Sequence, residues 1–249
     1  MTGEGPIYVY GVVSSGADVA PPTSGVADAA TRLVESNGLA AVVSTVPGDR
    51  LRVRRRDLMA HLHALEEVSA QTTVLPFRFG TVLPSEADVE RELLQARAEE
   101  LHELLERFAD AVQVNVKATY DETEVVRELV SSNPEIARAR ERAKKLGDAG
   151  YYENIRVGEL VAGGLAARRA ADAERLQGSL AALASDVAAD PVDDGGLLVM
   201  KTSFLVDRSG LEGFDAELEA VAAREAPVIR FESFGPLPPA AFVSLGQES

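Results

Sequence analysis

Leu197-Leu198-Val199-Met200-Lys201-Thr202-Ser203-Phe204-Leu205-Val206 is the segment on which the reading of the fold turns. It is rich in branched and aromatic side chains, and turn-forming residues bound it on both sides: Asp190-Pro191 and Asp193-Asp194-Gly195-Gly196 before it, Asp207-Arg208-Ser209-Gly210 after it. That is the signature of a strand. Downstream, Leu211, Phe214, Leu218 and Val221 supply one helical face, and Val228 to Phe234 returns as a strand. Upstream, Ala162, Ala166, Ala173, Leu176, Leu180, Leu183 and Val187 follow a 3/4 spacing along an Ala-rich helix, interrupted by Arg169. Asn133-Pro134 opens a shorter helix with an amide-accepting cap and a proline at the first helical position, ending at Leu146-Gly147. Before it, Asp121 to Ser131 is another short helix, and Val112, Val114 and Val116 alternate with Gln113, Asn115 and Lys117 as in a half-buried strand. The order strand, long helices, strand, helix, strand predicts an α+β sandwich close to a ferredoxin-like arrangement with its first crossover enlarged.

A separate unit precedes it. Ile7 to Val13 reads as a strand, and Arg32 to Ser44 as a hairpin turning on Ser36-Asn37-Gly38, since Asn-Gly readily takes positive φ. From Asp57 to Gln71, Leu58, Leu62, Leu65 and Ser69 form the expected inner stripe of an amphipathic helix. Thr72 to Leu83 reads as extended, with Pro76 restricting it to an edge or a bulge. Ser85 and Asp88 form a capping-box-like start to one continuous helix through Phe108, expected to span about 35 Å. The expected division is therefore residues 1–109, residues 110–235, and a proline-rich tail at 236–249.

Composition narrows the function. The 249 residues carry 25 Lys plus Arg against 40 Asp plus Glu, a formal charge of −15. A surface so negative repels a phosphate backbone, which argues against nucleic acid as a partner. Cysteine is absent, removing disulfides, thiolate nucleophiles and thiolate metal sites, and no apolar run reaches the length of a membrane span. The start lacks the basic flank and apolar run of a signal peptide, so a cytoplasmic protein with no lipid membrane partner is expected.

Catalytic signatures are sparse. His61 and His63 stand two residues apart on a helix, about 200° of rotation, so their rings diverge and do not share a metal. An enzyme using His61 or His63 with Glu66 as acid and base is the remote alternative; no cofactor is expected. No Walker-type loop and no Gly-x-Ser-x-Gly elbow is present. Asp190, Asp193 and Asp194 lack the calcium-loop spacing. Arg50, Arg52, Arg54, Arg55 and Arg56 crowd one loop and helix start, read as a solvated segment. Phe77-Arg78-Phe79 sets two aromatics on one side of an extended segment, with Arg78 meeting a carboxylate or solvent on the other. Gly235 to Val243 is stiffened by Pro236, Pro238 and Pro239 and lies across its own domain or docks against another chain.

Five segments in order resemble the gas vesicle proteins of the GvpL/GvpF type: Tyr8-Val9-Tyr10-Gly11-Val12-Val13, Gly38-Leu39-Ala40-Ala41-Val42-Val43-Ser44, Val74-Leu75-Pro76-Phe77-Arg78-Phe79-Gly80-Thr81-Val82, Ser203-Phe204-Leu205-Val206, and Gly235-Pro236-Leu237-Pro238-Pro239-Ala240-Ala241-Phe242-Val243. Leu237 stands where many relatives carry Trp, and Ala240 near an aromatic or polar residue. The resemblance implies a two-domain α+β protein, the second domain a modified ferredoxin-like unit. It also implies a non-enzymatic, minor gas vesicle component that assists assembly by contacting the hydrophobic shell subunit and other accessory proteins, or else a resident part of the shell. No catalytic, cofactor or metal residue comes with it. Phe77, Arg78, Phe79, Pro236, Leu237, Pro238, Pro239 and Phe242 are the expected partner-binding residues.

Overall fold

The computed structural model describes residues 5–46, 54–192 and 196–243, with only the backbone of Asp148. Two compact units emerge: residues 1–113 with 235–249, and residues 114–234.

The first is built on strand β1 (Ile7–Ser14), whose first seven residues are all buried. Strands β2 (Thr31–Ser36) and β3 (Leu39–Thr45) form the expected hairpin, with Asn37 and Gly38 at φ of 52° and 76°. The pair fits a primed turn, whose twist matches that of the strands. β3 pairs antiparallel with β1. The segment expected to be extended supplies only two short strands on β1, β4 (Leu75–Pro76) and β5 (Val82–Leu83), with a turn between in which Thr81 N–H donates to Arg78 O.

Helix α1 (Arg55–Ser69) buries Asp57, His61, Ala64, Leu65 and Val68. The expected stripe is thereby corrected: Leu58 and Leu62 face outward, 39% and 41% exposed, and Met59 with them at 41%. The one long helix expected from Ser85 is also interrupted. Helix α2 (Glu86–Asp88), capped as expected by Ser85 Oγ, passes into a π-helical turn at Val89–Gln95, and helix α3 (Ala98–Arg107) starts afresh after Arg97. The widened turn is closed by Ala96 N–H donating to Arg91 O.

In the second unit, β6 (Ala111–Tyr120) alternates as expected, sending Val114, Val116, Ala118 and Tyr120 into the core. Asp121 caps α4 (Glu122–Ser132), and Asn133 caps α5 (Pro134–Leu146) by accepting from the Glu135 and Ile136 amides. Helix α6 (Tyr151–Ala181) ends earlier than expected. Val187 belongs instead to a strand, β7 (Asp186–Ala189), paired antiparallel with β8 (Leu198–Asp207), and Leu183 is exposed. The inner row of α6 is shifted too. Ala162 and Ala166 are exposed, and Val161, Leu165, Arg169, Ala173, Leu176 and Leu180 face inward, so Arg169 continues the row rather than breaking it. Helix α7 (Leu211–Glu225) and strand β9 (Ile229–Leu237) follow, in the sheet order β7-β8-β6-β9. β9 runs through Pro236, which its edge position tolerates because, among the described residues, no strand pairs on its outer side. Asp193 and Asp194, like Arg50 and Arg52, lie outside the described residues.

An ionic knot joins four elements of this unit. Tyr120 Oη donates to Asp172 Oδ2 at 2.7 Å, while Arg168 Nε and Arg175 Nη2 donate to the same carboxylate at 3.2 and 2.8 Å. Arg175 Nη1 goes on to Glu225 at 2.6 Å, and Arg168 Nη2 to Glu128 at 2.8 Å. Burial raises the Asp172 carboxyl, but bonds from Arg175, Tyr120 and Arg168 outweigh it and hold the group below its usual range.

Two substitutions test these packing claims. A Cβ on Gly11 would stand 2.7 Å from Val74 Cγ2 and 2.8 Å from Leu75 O, and the latter is backbone that cannot swing aside. Gly11→Ala should therefore destabilise by about 1–3 kcal/mol, read as a lowered thermal midpoint. Asp172→Ala, which strands two arginines and a phenol, should cost about 1–3 kcal/mol at pH 7 and less at acid pH, where the native carboxylate is itself lost; urea titrations at both pH values check this.

Candidate interaction surface

Four buried polar side chains of the first unit, Tyr8, Tyr10, Ser44 and His61, form a connected cluster beneath α1. Tyr10 Oη accepts from Val26 N–H at 2.7 Å and bonds Ser44 Oγ at 2.8 Å. Tyr8 Oη accepts from Gly80 N–H at 3.0 Å and lies 3.0 Å from His61 Nδ1. The His61 ring stacks on Tyr10 and meets Phe79 edge-on, both with centroids 5.7 Å apart. Burial lowers its pKa to about 4, a hydrogen bond with the Phe77 backbone opposing this, so the ring is neutral at pH 7. A bond that raises an imidazole pKa is one the ring donates. The donor in the 3.0 Å bond between Nδ1 and Tyr8 Oη follows the ring tautomer. Burial pushes both phenols above their ordinary values.

The phenol oxygens and the imidazole Nδ1 of this cluster are thus hydrogen-bonded within the core. His61 points inward with 3% exposure, while His63 and Glu66 are exposed, so the structure does not bring His61 and His63 together. Among the described residues no group of three or more His, Cys, Asp or Glu side chains is placed to hold a metal ion.

The expected partner-binding residues scatter. Phe77 is buried at 5%, Phe79 is partly buried against Tyr8 and His61, and Arg78 is exposed. In the tail, Pro236 is exposed, Leu237 and Phe242 are half-buried, and Pro238 and Pro239 are buried. Ala241 N–H donates to Gln113 Oε1 at 2.8 Å, which fastens this segment to its own unit. Phe77, Pro238 and Pro239 thus act as internal packing and offer little to a partner.

The exposed apolar side chains lie elsewhere. Leu58, Met59 and Leu62 form a patch on the outer face of α1. Leu146, Tyr151, Tyr152 and Ile155 cluster where α5 meets α6, and Phe234 stands out from the β9 edge. The sequence reading missed the α1 patch because it assigned the leucines inward; the inner row is instead Asp57, His61, Ala64, Leu65 and Val68, which leaves Leu58, Met59 and Leu62 at its margin and beyond. Among the described residues no helix is long and apolar enough to cross a membrane.

Comparisons with known proteins agree on a single family. The family model described as "Gas vesicle synthesis protein GvpL/GvpF" matches residues 6–244. Gas vesicle protein F of a Streptomyces species is 36% identical over 95% of this chain and 98% of its own length. The Nostoc protein of the same name is 25% identical over 92% and 94%. The crystal structure of GvpF from Anabaena superposes with a TM-score of 0.79 at 21% identity, covering 97% of this chain and 99% of that one. GvpF from Microcystis aeruginosa gives 0.73 at 22% identity, covering 96% and 99%.

The buried imidazole sets a pH dependence. Its native pKa of about 4 lies below the value of about 6.5 for an unfolded histidine, so its contribution is fully present above pH 6.5 and is lost as pH falls toward 4, on the order of 3 kcal/mol in total. The stability of His61→Gln, which keeps a hydrogen-bonding partner for Tyr8 but does not titrate, should fall less than the parent's between pH 6.5 and 5, measured by urea unfolding.

Proposed function

Because the chain belongs to the GvpL/GvpF family of gas vesicle proteins, we propose that it is a non-enzymatic accessory protein that assists gas vesicle assembly by binding the hydrophobic shell subunit and other vesicle proteins. The observation that carries this reading is the outward face of α1. Three large apolar side chains there, Leu58, Met59 and Leu62, are about two-fifths exposed on a chain whose net charge is −15. Apolar patches of this kind mark surfaces awaiting a partner, while high like charge keeps the free protein dispersed. A hydrophobic subunit held against such a patch is carried in soluble form. Arg78, Phe79, Pro236, Leu237 and Phe242 extend the proposed contact region.

The same proposal treats the second unit as a modified ferredoxin-like domain. The order β7-β8-β6-β9, with α4, α5 and α6 between β6 and β7 and α7 between β8 and β9, supports that reading. Domain limits near residues 109 and 235, with the tail from 236, belong to it as well.

The test is co-expression of the shell subunit with and without this chain, followed by high-speed sedimentation. The pelleted fraction should drop when the chain is present, and the double variant Leu58→Asp/Leu62→Asp should return the subunit to the pellet while its circular dichroism stays native. Equal pelleting with and without the parent chain would refute the proposal.

A further inference from the structure

The junction of α5 and α6 carries a charge opposite in sign to the net charge of the molecule. Helix α5 holds five cations, Arg138, Arg140, Arg142, Lys144 and Lys145, against two carboxylates, on a chain whose total charge is −15. Arg142 reaches Glu153 at 3.4 Å, whereas among the described residues Arg140, Lys144 and Lys145 have no carboxylate partner. Immediately beyond stand the most exposed aromatics of the chain, Tyr151 at 67% and Tyr152 at 82%.

These side chains are mounted on a defined frame. A Cβ at Gly150 would stand 2.9 Å from Ala143 O, so the connection is drawn tightly against α5, and Gly147 takes a φ of 52° to make the turn. The two tyrosine rings pack edge to face with centroids 5.5 Å apart. Tyr151 and Ile155 are four residues apart on one row of α6, and Tyr152 and Arg156 on the next. Rigid aromatic rings beside arginine and lysine are the side chains that dominate binding energy at protein interfaces.

Charge selects the partner. Helix α3 presents Glu99, Glu103 and Glu106, spaced 4 and 3 apart and therefore on one face, all exposed and, among the described residues, without cationic partners. We propose that the tyrosine-tipped α5–α6 junction docks on the acidic face of α3 in a second copy of this chain. The contact joins two different surfaces, so it is heterologous. Unless the rotation closes a ring, each added copy leaves one junction and one acidic face open for the next. The inference stands independently of the proposed role with the shell subunit.

Sedimentation equilibrium of the full chain at ~50 mM salt tests it. The average mass should climb with concentration in the micromolar range and fall back at ~500 mM salt, where screening shortens the reach of the charges. Tyr151→Ser/Tyr152→Ser and Lys144→Glu/Lys145→Glu should each weaken association by roughly tenfold or more. Adding Glu99→Lys/Glu103→Lys in a second chain should restore pairing with the Lys144→Glu/Lys145→Glu chain. A monomer at every concentration, association untouched by the tyrosine pair, or failure of the charge swap would overturn the proposal. So would a strictly monomeric chain whose tyrosines instead bind phosphatidylserine vesicles. Because every substituted side chain is exposed, an unchanged circular dichroism spectrum excludes misfolding as the cause.

Discussion

Strand β1 is enclosed on both faces, and the first unit is arranged around that enclosure. A strand buried on both sides needs cover on each, and the chain supplies α1 for one face of the sheet and the α2–α3 segment for the other. Gly11 marks where the cover comes closest: the pairing with β3 shifts register between Val9 and Gly11, and the missing side chain makes room for Val74 and the Leu75 carbonyl. Packing of this density tolerates the phenol and imidazole polar atoms inside it only because each has a partner.

The second unit solves the same problem differently. Its apolar core is walled by β6, β8 and the helices, and at its margin one partly buried carboxylate, Asp172, is ringed by two arginines and Tyr120. Three donors together outweigh the cost of its partial burial. The knot links α4, α6 and α7 to β6, so it fixes helix registry as well as charge.

Local signals were read correctly where a single residue dictates backbone geometry: Asn37-Gly38 for the hairpin, Asp121 and Asn133-Pro134 for two helix starts, and the alternation of β6. Failures came where tertiary context outranks pattern. On α1, periodicity favours the leucines as the inner face, yet hydrogen bonding to Tyr8 and stacking on Tyr10 draw His61 inside. On α6, Arg169 reads as an interruption but lies in the inner row. Strand β7 is an Ala-rich segment that continues a helical rhythm, and no Gly or Pro between Ala181 and Asp186 announces the stop. The π-helical turn leaves the spacing of Val89, Leu93, Leu94 and Leu101 unchanged to the eye. Of the expected partner-binding residues, the hydrophobicity of Phe77, Pro238 and Pro239 was visible, but not that the molecule uses it internally.

The first unit also draws on segments from both sides of the second. During synthesis the ribosome delivers Val114 to Phe234 before the piece from Gly235 onward that completes the earlier unit. Domains fold as units as they emerge, so the inserted one can finish while its host still waits for Pro238, Pro239 and the Ala241 amide that meets Gln113. The chain order thus lets the later-made body mature ahead of the one begun first.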